Sequence, residues 1–194
     1  ALPILQDFGE FFTRKKGELL KGVPLKEDIY ALALMAGQYE INDEISARIW
    51  GYGGHWATTI RDKDGKAVEY VITRKDQAAI RKALETYKAD LKYASPACVS
   101  GFWDFTTAQF VAGKTLCMPS VYCSLDQWAF QVEDEIPDAK MAFYPVVGGR
   151  GYTGCYHQAV SKFSKNPEAA YWLIRYLGSY EAQQEMMEIS GWSG

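Results

Sequence analysis

The sequence of 194 residues predicts an α/β layered unit in which a mixed sheet is flanked by helices. Two continuous apolar runs of strand length, 30–36 and 141–147, have the composition of strands that are buried on both faces. Between and after these runs lie segments with apolar residues at helical spacing, several of which begin at a capping residue and end at a glycine. Since strand and helix patterns alternate along the chain, a layered arrangement of both is expected.

The first fifty residues predict helix, strand and helix in that order. Residues 4–20 place their apolar side chains near one helical face, and Gly22–Pro24 breaks the pattern. After the strand at 30–36, Asn42 has the position of a helix cap, with Asp43 and Glu44 in the first turn, where acids favour the helix dipole. This helix is expected to end at Gly51.

The next segment carries the clearest local signals. Residues 57–60 and 67–72 are rich in β-branched and aromatic residues and are separated by the turn Asp62–Gly65, which predicts a hairpin. Thr73 then caps a helix whose apolar stripe follows steps of four, three and four residues. The stripe consists of Ile80, Leu84, Tyr87 and Leu91.

The second half is predicted to continue the alternation. A helix from about Asp104 to Gly113 precedes a strand at Lys114–Met118, a helical stretch at 124–132 and the strand at 141–147. A short strand at Cys155–Val160 follows, and Pro167, behind Ser164 and Asn166, begins another helix. Ser179 can cap a last one.

Composition excludes several classes of function. Twenty-one basic and 24 acidic side chains leave a net charge of −3, so nucleic acid is not an expected partner. No apolar stretch approaches the roughly 20 residues that cross a bilayer, and residues 1–6 lack the pattern of a signal peptide. An export signal, if there was one, has been removed.

No motif predicts a metal, a cofactor or a nucleophile. Cys98, Cys117, Cys123 and Cys155 have no CxxC pair, and the two histidines stand in no catalytic signature. Residues 149–154 fit GxGxxG, but a strand pattern follows instead of the helix that a dinucleotide site needs. The acidic pair Asp43–Glu44 and the acidic run 133–138 leave open the alternative of an enzyme that acts on glycosides.

Aromatic side chains are concentrated beside the loops. Sugar rings pack on aromatic faces, and their hydroxyls pair with amides, carboxylates and guanidinium groups. The composition of these loops therefore suits a carbohydrate ligand. The aromatic residues are Tyr39, Trp50, Tyr52, Trp56, Trp103, Tyr122, Trp128, Tyr152 and Tyr156.

The order of several short motifs resembles that of family 1 solute-binding proteins of bacterial ABC importers, the maltose-type sugar receptors. Ile49–Gly54 is similar to their W-x-x-G-G turn, and the hairpin turn at Asp64–Lys66 to their D-x-x-G-K turn. Phe110–Met118 resembles their F-x-x-G-K stretch, and Gly154–Ser179 their closing block, which includes S-K-N-x-E-A-A. The resemblance covers nearly the whole chain.

The resemblance implies one lobe of a two-lobed receptor of the periplasmic binding protein type 2 class. Residues 1–160 match the second, C-terminal lobe, and residues 161–194 match helices that return toward an N-terminal lobe missing from this chain. The implied function is to bind a carbohydrate in the cleft between the lobes and to deliver it to a membrane permease, without chemistry or cofactor. The implied location is periplasmic or extracellular, with a lipid anchor compatible with the full-length protein.

Candidate ligand contacts follow by position in the resembling family. Tyr122 and Tyr156 would stack on the sugar, whereas Asn42 and Glu44 would exchange hydrogen bonds with hydroxyl groups. Arg150, in the glycine-rich loop, is added as a further contact.

Overall fold

The computed structural model describes residues 3–119, 131–146, 148–151 and 157–190. The strands are β1 (Leu19–Leu20), β2 (Val23–Pro24), β3 (Tyr30–Leu32), β4 (Thr58–Arg61), β5 (Ala67–Val71) and β6 (Thr115–Cys117). The α-helices are α1 (Pro3–Phe12), α2 (Ile41–Gly51), α3 (Arg74–Asp90), α4 (Trp103–Val111), α5 (Pro167–Leu177) and α6 (Tyr180–Ser190), and residues 131–135 are also helical. Short 3₁₀ helices occupy Leu91–Tyr93 and Pro96–Ser100.

The core is built around β3. This strand runs parallel to β6, with Tyr30 opposite Thr115 and Leu32 opposite Cys117, and a bridge to Ala94 borders its other side. Helices α1, α2 and α3 contribute buried side chains to the same cluster as β3. The predicted mixed α/β architecture is confirmed. The cluster contains Leu5, Ala31, Leu32, Leu34, Ile45, Ile49, Ala79, Ala83, Tyr87, Tyr93, Ala94 and Cys98.

The strongest local signals of the sequence are confirmed. Strands β4 and β5 form the predicted antiparallel hairpin, and Asp62 accepts hydrogen bonds from the backbone of the turn at 64 and 66. Thr73 caps α3 in a reciprocal capping box with Asp76. Pro167 opens α5, and the Ser179 hydroxyl accepts from the backbone N–H of Ala182 in the first turn of α6.

Two boundaries near the N-terminus differ from the prediction. The first helix ends at Phe12, because Leu19 and Leu20 pair with β2 through a tight turn in which Lys21 and Gly22 both have positive φ. Helix α2 is present, but Glu40 takes the N-cap position and makes no side-chain cap bond. Asn42 therefore lies inside the first turn rather than capping it.

The second predicted buried strand is wrong over its described part. Residues 141–146 form no strand, and Phe143 and Tyr144 are exposed. An apolar run permits a strand only if another strand accepts its backbone hydrogen bonds, and no such partner occurs among the described residues. Residues 157–160 are also not a strand, whereas 155 and 156, and 124–130 of the predicted helical stretch, lie outside the described residues.

In the part of the chain that the structure covers, no helix is both long enough and apolar enough to span a bilayer.

Candidate functional site

The candidate site lies where the chain leaves the carboxyl end of the parallel strands. The backbone N–H of Ala33 donates to the carbonyl oxygen of Cys117 over 2.8 Å, so β3 and β6 end side by side. From this edge the chain stays mostly buried up to residue 37, is exposed at residues 38 and 39, and then enters α2. In open α/β sheets ligands bind outside the carboxyl ends of the strands. Residues 36–43, which follow the carboxyl end of β3, are therefore the candidate ligand site.

Two loops meet at this edge. The backbone N–H of Gly37 donates to the carbonyl oxygen of Gly101 over 2.9 Å, and the backbone N–H of Trp103 donates to the carboxylate of Glu40. Above these bonds the ring of Tyr39 stacks on that of Phe102, with centroids 5.9 Å apart and planes 30° apart. Together these residues form what we call the Tyr39–Phe102 edge.

The aromatic pair is open to solvent. Tyr39 is 76% exposed and Phe102 is 37% exposed, although the loops that carry them are bonded to each other at Gly37 and Gly101. A fixed aromatic face that remains wet suits a ligand with a flat apolar face and polar margins.

Glu40, which bonds Trp103 at this edge, interacts with two further carboxylates. Burial raises the pKa of Glu40 above its ordinary value, and the negative charges of Asp43 and Asp104 raise it further, against the lowering effect of the Trp103 N–H. The mutual influence places all three acids near one another at the N-terminal ends of α2 and α4. The edge therefore offers hydrogen-bond acceptors of negative charge to a ligand.

Asn42 is the sequence-predicted residue that the structure places at this edge. It is exposed in the first turn of α2, and its amide nitrogen donates to Asp43 over 3.0 Å. Its amide oxygen and second N–H remain suited to pairing with hydroxyl groups.

Glu44, which the sequence predicts as a ligand contact, is buried in the core and does not face solvent. Its side chain is 1% exposed, and one carboxylate oxygen accepts from the backbone N–H of Met35 over 3.2 Å and from the hydroxyl of Tyr87 over 2.5 Å. Burial raises its pKa to about 7 even though both hydrogen bonds and the nearby charge of Arg48 act in the opposite direction. In this conformation Glu44 bonds the segment that leads to Tyr39 instead of facing solvent.

Arg150 lies at the opposite end of α2 from Asn42. A Cβ atom added to Gly148 would stand 2.6 Å from the Cα atom of Gly51, so the glycine-rich loop touches the last residue of α2. From Asn42 to Gly51 the helix rises about 13 Å. The structure therefore does not bring Arg150, which is exposed, to the Tyr39–Phe102 edge. Tyr122 and Tyr156 lie outside the described residues.

Sequence reasoning missed Phe102 and Glu40. Tyr39 and Trp103 were recognisable as aromatic residues at loops, but the pairing of their loops depends on two buried glycines, Gly37 and Gly101, far apart in the chain. The signal that was available is the glycine immediately before an aromatic residue at 101–102, which is typical of close backbone approach.

The structure does not support the catalytic acid pair that the sequence left open. Asp43 and Glu44 cannot act as a catalytic pair across a bond in this arrangement, because Glu44 is buried and bonded to protein groups. Among the same residues, no group of three His, Cys, Asp or Glu side chains could hold a metal ion. Cys98 and Cys117 are free thiols whose pKa burial raises to about 11, which makes them poor nucleophiles at neutral pH.

Comparison with known families decides the class of protein. The family described as bacterial extracellular solute-binding protein matches residues 6–193. The chain belongs to this family. Membership implies a small-molecule ligand, an ABC permease as partner and a location outside the cytoplasm, and proteins of this kind generally bind rather than transform their ligand. The match does not specify sugars, and neither a curated protein nor a solved structure was found to match the chain.

Proposed function

We propose that this extracellular solute-binding protein binds a carbohydrate at the Tyr39–Phe102 edge and delivers it to the permease. The observation that supports this proposal is the exposed stack of Tyr39 on Phe102 at the carboxyl end of the parallel strands. The stack presents an aromatic face, and Asn42, Asp43 and Asp104 add polar groups that can pair with hydroxyls.

Binding without chemistry is part of the proposal. The acids near the edge can accept hydrogen bonds, and Glu44, the buried one, is already bonded to protein groups. Turnover of chromogenic glycosides by the purified protein, lost on Asp43→Asn, would support the alternative of a glycoside-acting enzyme and contradict ours.

Replacement of Tyr39 by alanine is the direct test of the ligand platform. We expect about tenfold weaker carbohydrate binding, equivalent to about 1.4 kcal/mol, because the stacking face is removed while the loop backbone stays bonded. Saturation-transfer NMR against a panel of mono- and oligosaccharides detects the binding partner, and isothermal calorimetry then compares the two proteins.

Tyr70→Ala is the matched control, since Tyr70 is equally exposed but belongs to the β4–β5 hairpin. It should bind like the wild type. A panel in which no carbohydrate gives a transfer signal, or equal binding by the Tyr39 variant, would refute the proposed ligand or the proposed platform respectively.

We also propose that residues 1–160 form the second lobe of a two-lobed receptor and that the helices within 161–194 pack against a first lobe. The supporting observation is the apolar face of α5, where Trp172, Leu173 and Tyr176 are more than half exposed and no residue of the helix is buried. Large apolar faces of this kind mark interaction surfaces.

Hydroxyl-radical footprinting tests this arrangement. In the product of the full reading frame upstream of Ala1, Trp172 and Tyr176 should be modified at least about threefold more slowly than in the 194-residue chain. Tyr70 serves as an internal control that stays equally reactive. Equal modification of Trp172 in both proteins would argue against packing on another lobe.

A further inference from the structure

A buried polar network bonds the chain segment that leads to the Tyr39–Phe102 edge to α2 and α3. Glu44 in α2 accepts from Met35, in the segment that leaves β3, and from Tyr87 in α3. Arg48, one turn further along α2, pairs with Asp90 over 2.6 Å and has its guanidinium 4.9 Å from the centre of the Tyr87 ring. One carboxylate thus joins three elements of the core.

The bond from Met35 to Glu44 fixes the start of the segment 35–40, which carries Tyr39. Met35 is two residues before Gly37, whose N–H bonds to Gly101, and four before Tyr39. With Met35 fixed at one end and α2 at the other, the intervening turn has little freedom to shift. A weaker Met35–Glu44 bond would therefore allow the Tyr39 ring to move more freely against Phe102.

We propose that Glu44 is a positioning residue that sets how firmly residues 35–40 are held through its bond to Met35, and that protonation of its carboxylate loosens the Tyr39–Phe102 edge. The ionised carboxylate is the stronger acceptor for the Met35 N–H and holds the loop, whereas the protonated acid holds it less firmly. The consequence for ligand binding rests on the function proposed above.

The groups that face Glu44 are compatible with such a titration. From α2 come the positive charge of Arg48, which favours the ionised form, and the negative charge of Asp43, which disfavours it. From α3 comes the Tyr87 hydroxyl, and the Cys98 thiol, in the 3₁₀ helix Pro96–Ser100, interacts with the charge of Glu44. Asp90, also in α3, is paired with Arg48. Burial is the largest influence and brings the pKa of Glu44 to about 7, so both charge states occur between pH 6 and 8.

Amide hydrogen exchange tests the proposal without any ligand, so its outcome is independent of the carbohydrate assignment. We expect the protection factors of the Met35 and Gly37 amides, corrected for intrinsic exchange, to rise at least about threefold from pH 6 to pH 8. The ¹³C shift of the Glu44 carboxyl carbon should titrate over the same range. Glu44→Gln should abolish this rise in protection at both amides. Glu69 is an exposed acid on β5, so Glu69→Gln should leave the rise unchanged.

A second variant keeps the test decisive if Glu44→Gln does not fold. Tyr87→Phe retains the ring but removes the O–H donor that stabilises the ionised carboxylate, so the midpoint should move to higher pH. The proposal is overturned if the Glu44 carboxyl does not titrate between pH 6 and 8. It is also overturned if Met35 shows the rise in protection and Gly37 does not, because the edge would then be uncoupled from Glu44.

Discussion

Replacing Arg48 by methionine is expected to lower the free energy of unfolding by about 3–5 kcal/mol. The side chains of Arg48 and Asp90 are only 5% and 3% exposed, and they form an ion pair of 2.6 Å between α2 and α3. Methionine preserves much of the apolar contact of the arginine stem but leaves the Asp90 carboxylate buried without its partner. Urea denaturation followed by circular dichroism measures the loss.

A double variant separates the pair from the packing. In Arg48→Met/Asp90→Leu both charges of this pair are removed, so we expect the double variant to recover most of the stability that the single variant loses. Lys92→Met is the control, because the Lys92–Glu10 pair is exposed and its loss should hardly move the unfolding midpoint. If the double variant were less stable than Arg48→Met, the cost would come from lost packing rather than from the unpaired charge.

The parts of the fold that the sequence predicted well are those fixed by neighbours along the chain. The Thr73–Asp76 capping box and the Asp62–Gly65 turn each depend on residues at most four positions apart. Their side chains satisfy nearby backbone groups in almost any tertiary context. The same holds for Pro167 at the start of α5.

The errors arise where a pattern needs a distant partner. Residues 19–20 fit a helical stripe, but the pairing of β1 with β2 across Lys21–Gly22 overrides it. The apolar run at 141–146 has strand composition without a strand partner among the described residues. Periodicity measures which residues suit burial, and it contains no information about which backbone is available for pairing.

In the candidate site, too, the residues set by local sequence were predicted and those that depend on distant contacts were not. Tyr39 and Asn42 were predicted from loop composition and from the family resemblance respectively, and both lie at one edge. Phe102 reaches that edge only because residues 37 and 101 are bonded across the fold, which no local pattern indicates. Glu44 was predicted as a ligand contact from the same turn of α2 as Asn42, but residues two positions apart on a helix project to nearly opposite sides, so Asn42 is exposed and Glu44 is buried. Its contact with Tyr87 depends on the packing of α2 on α3.

The contact between Gly37 and Gly101 should be the most sensitive point of the Tyr39–Phe102 edge. A Cβ atom at position 37 would stand 2.5 Å from the Gly101 carbonyl oxygen and 2.9 Å from the Phe102 ring. Because a backbone atom cannot turn aside as a side chain can, Gly37→Ala must separate the two loops. We expect a loss of about 1–3 kcal/mol in the free energy of unfolding, typical of overpacking, together with loss of the nuclear Overhauser contacts between the Tyr39 and Phe102 rings.

Gly178→Ala is the matched control for this prediction. The nearest atom to an added Cβ there is the Ile174 carbonyl oxygen at 3.5 Å, an ordinary contact, and its φ is not positive. This control should keep both the stability and the ring contacts of the wild type. If Gly37→Ala kept the ring contacts while losing stability, the two loops would be holding the aromatic pair by some route other than the bond between Gly37 and Gly101. In that case the edge would owe its geometry to the Glu40–Trp103 bond, and Glu40→Gln would become the substitution that separates the rings.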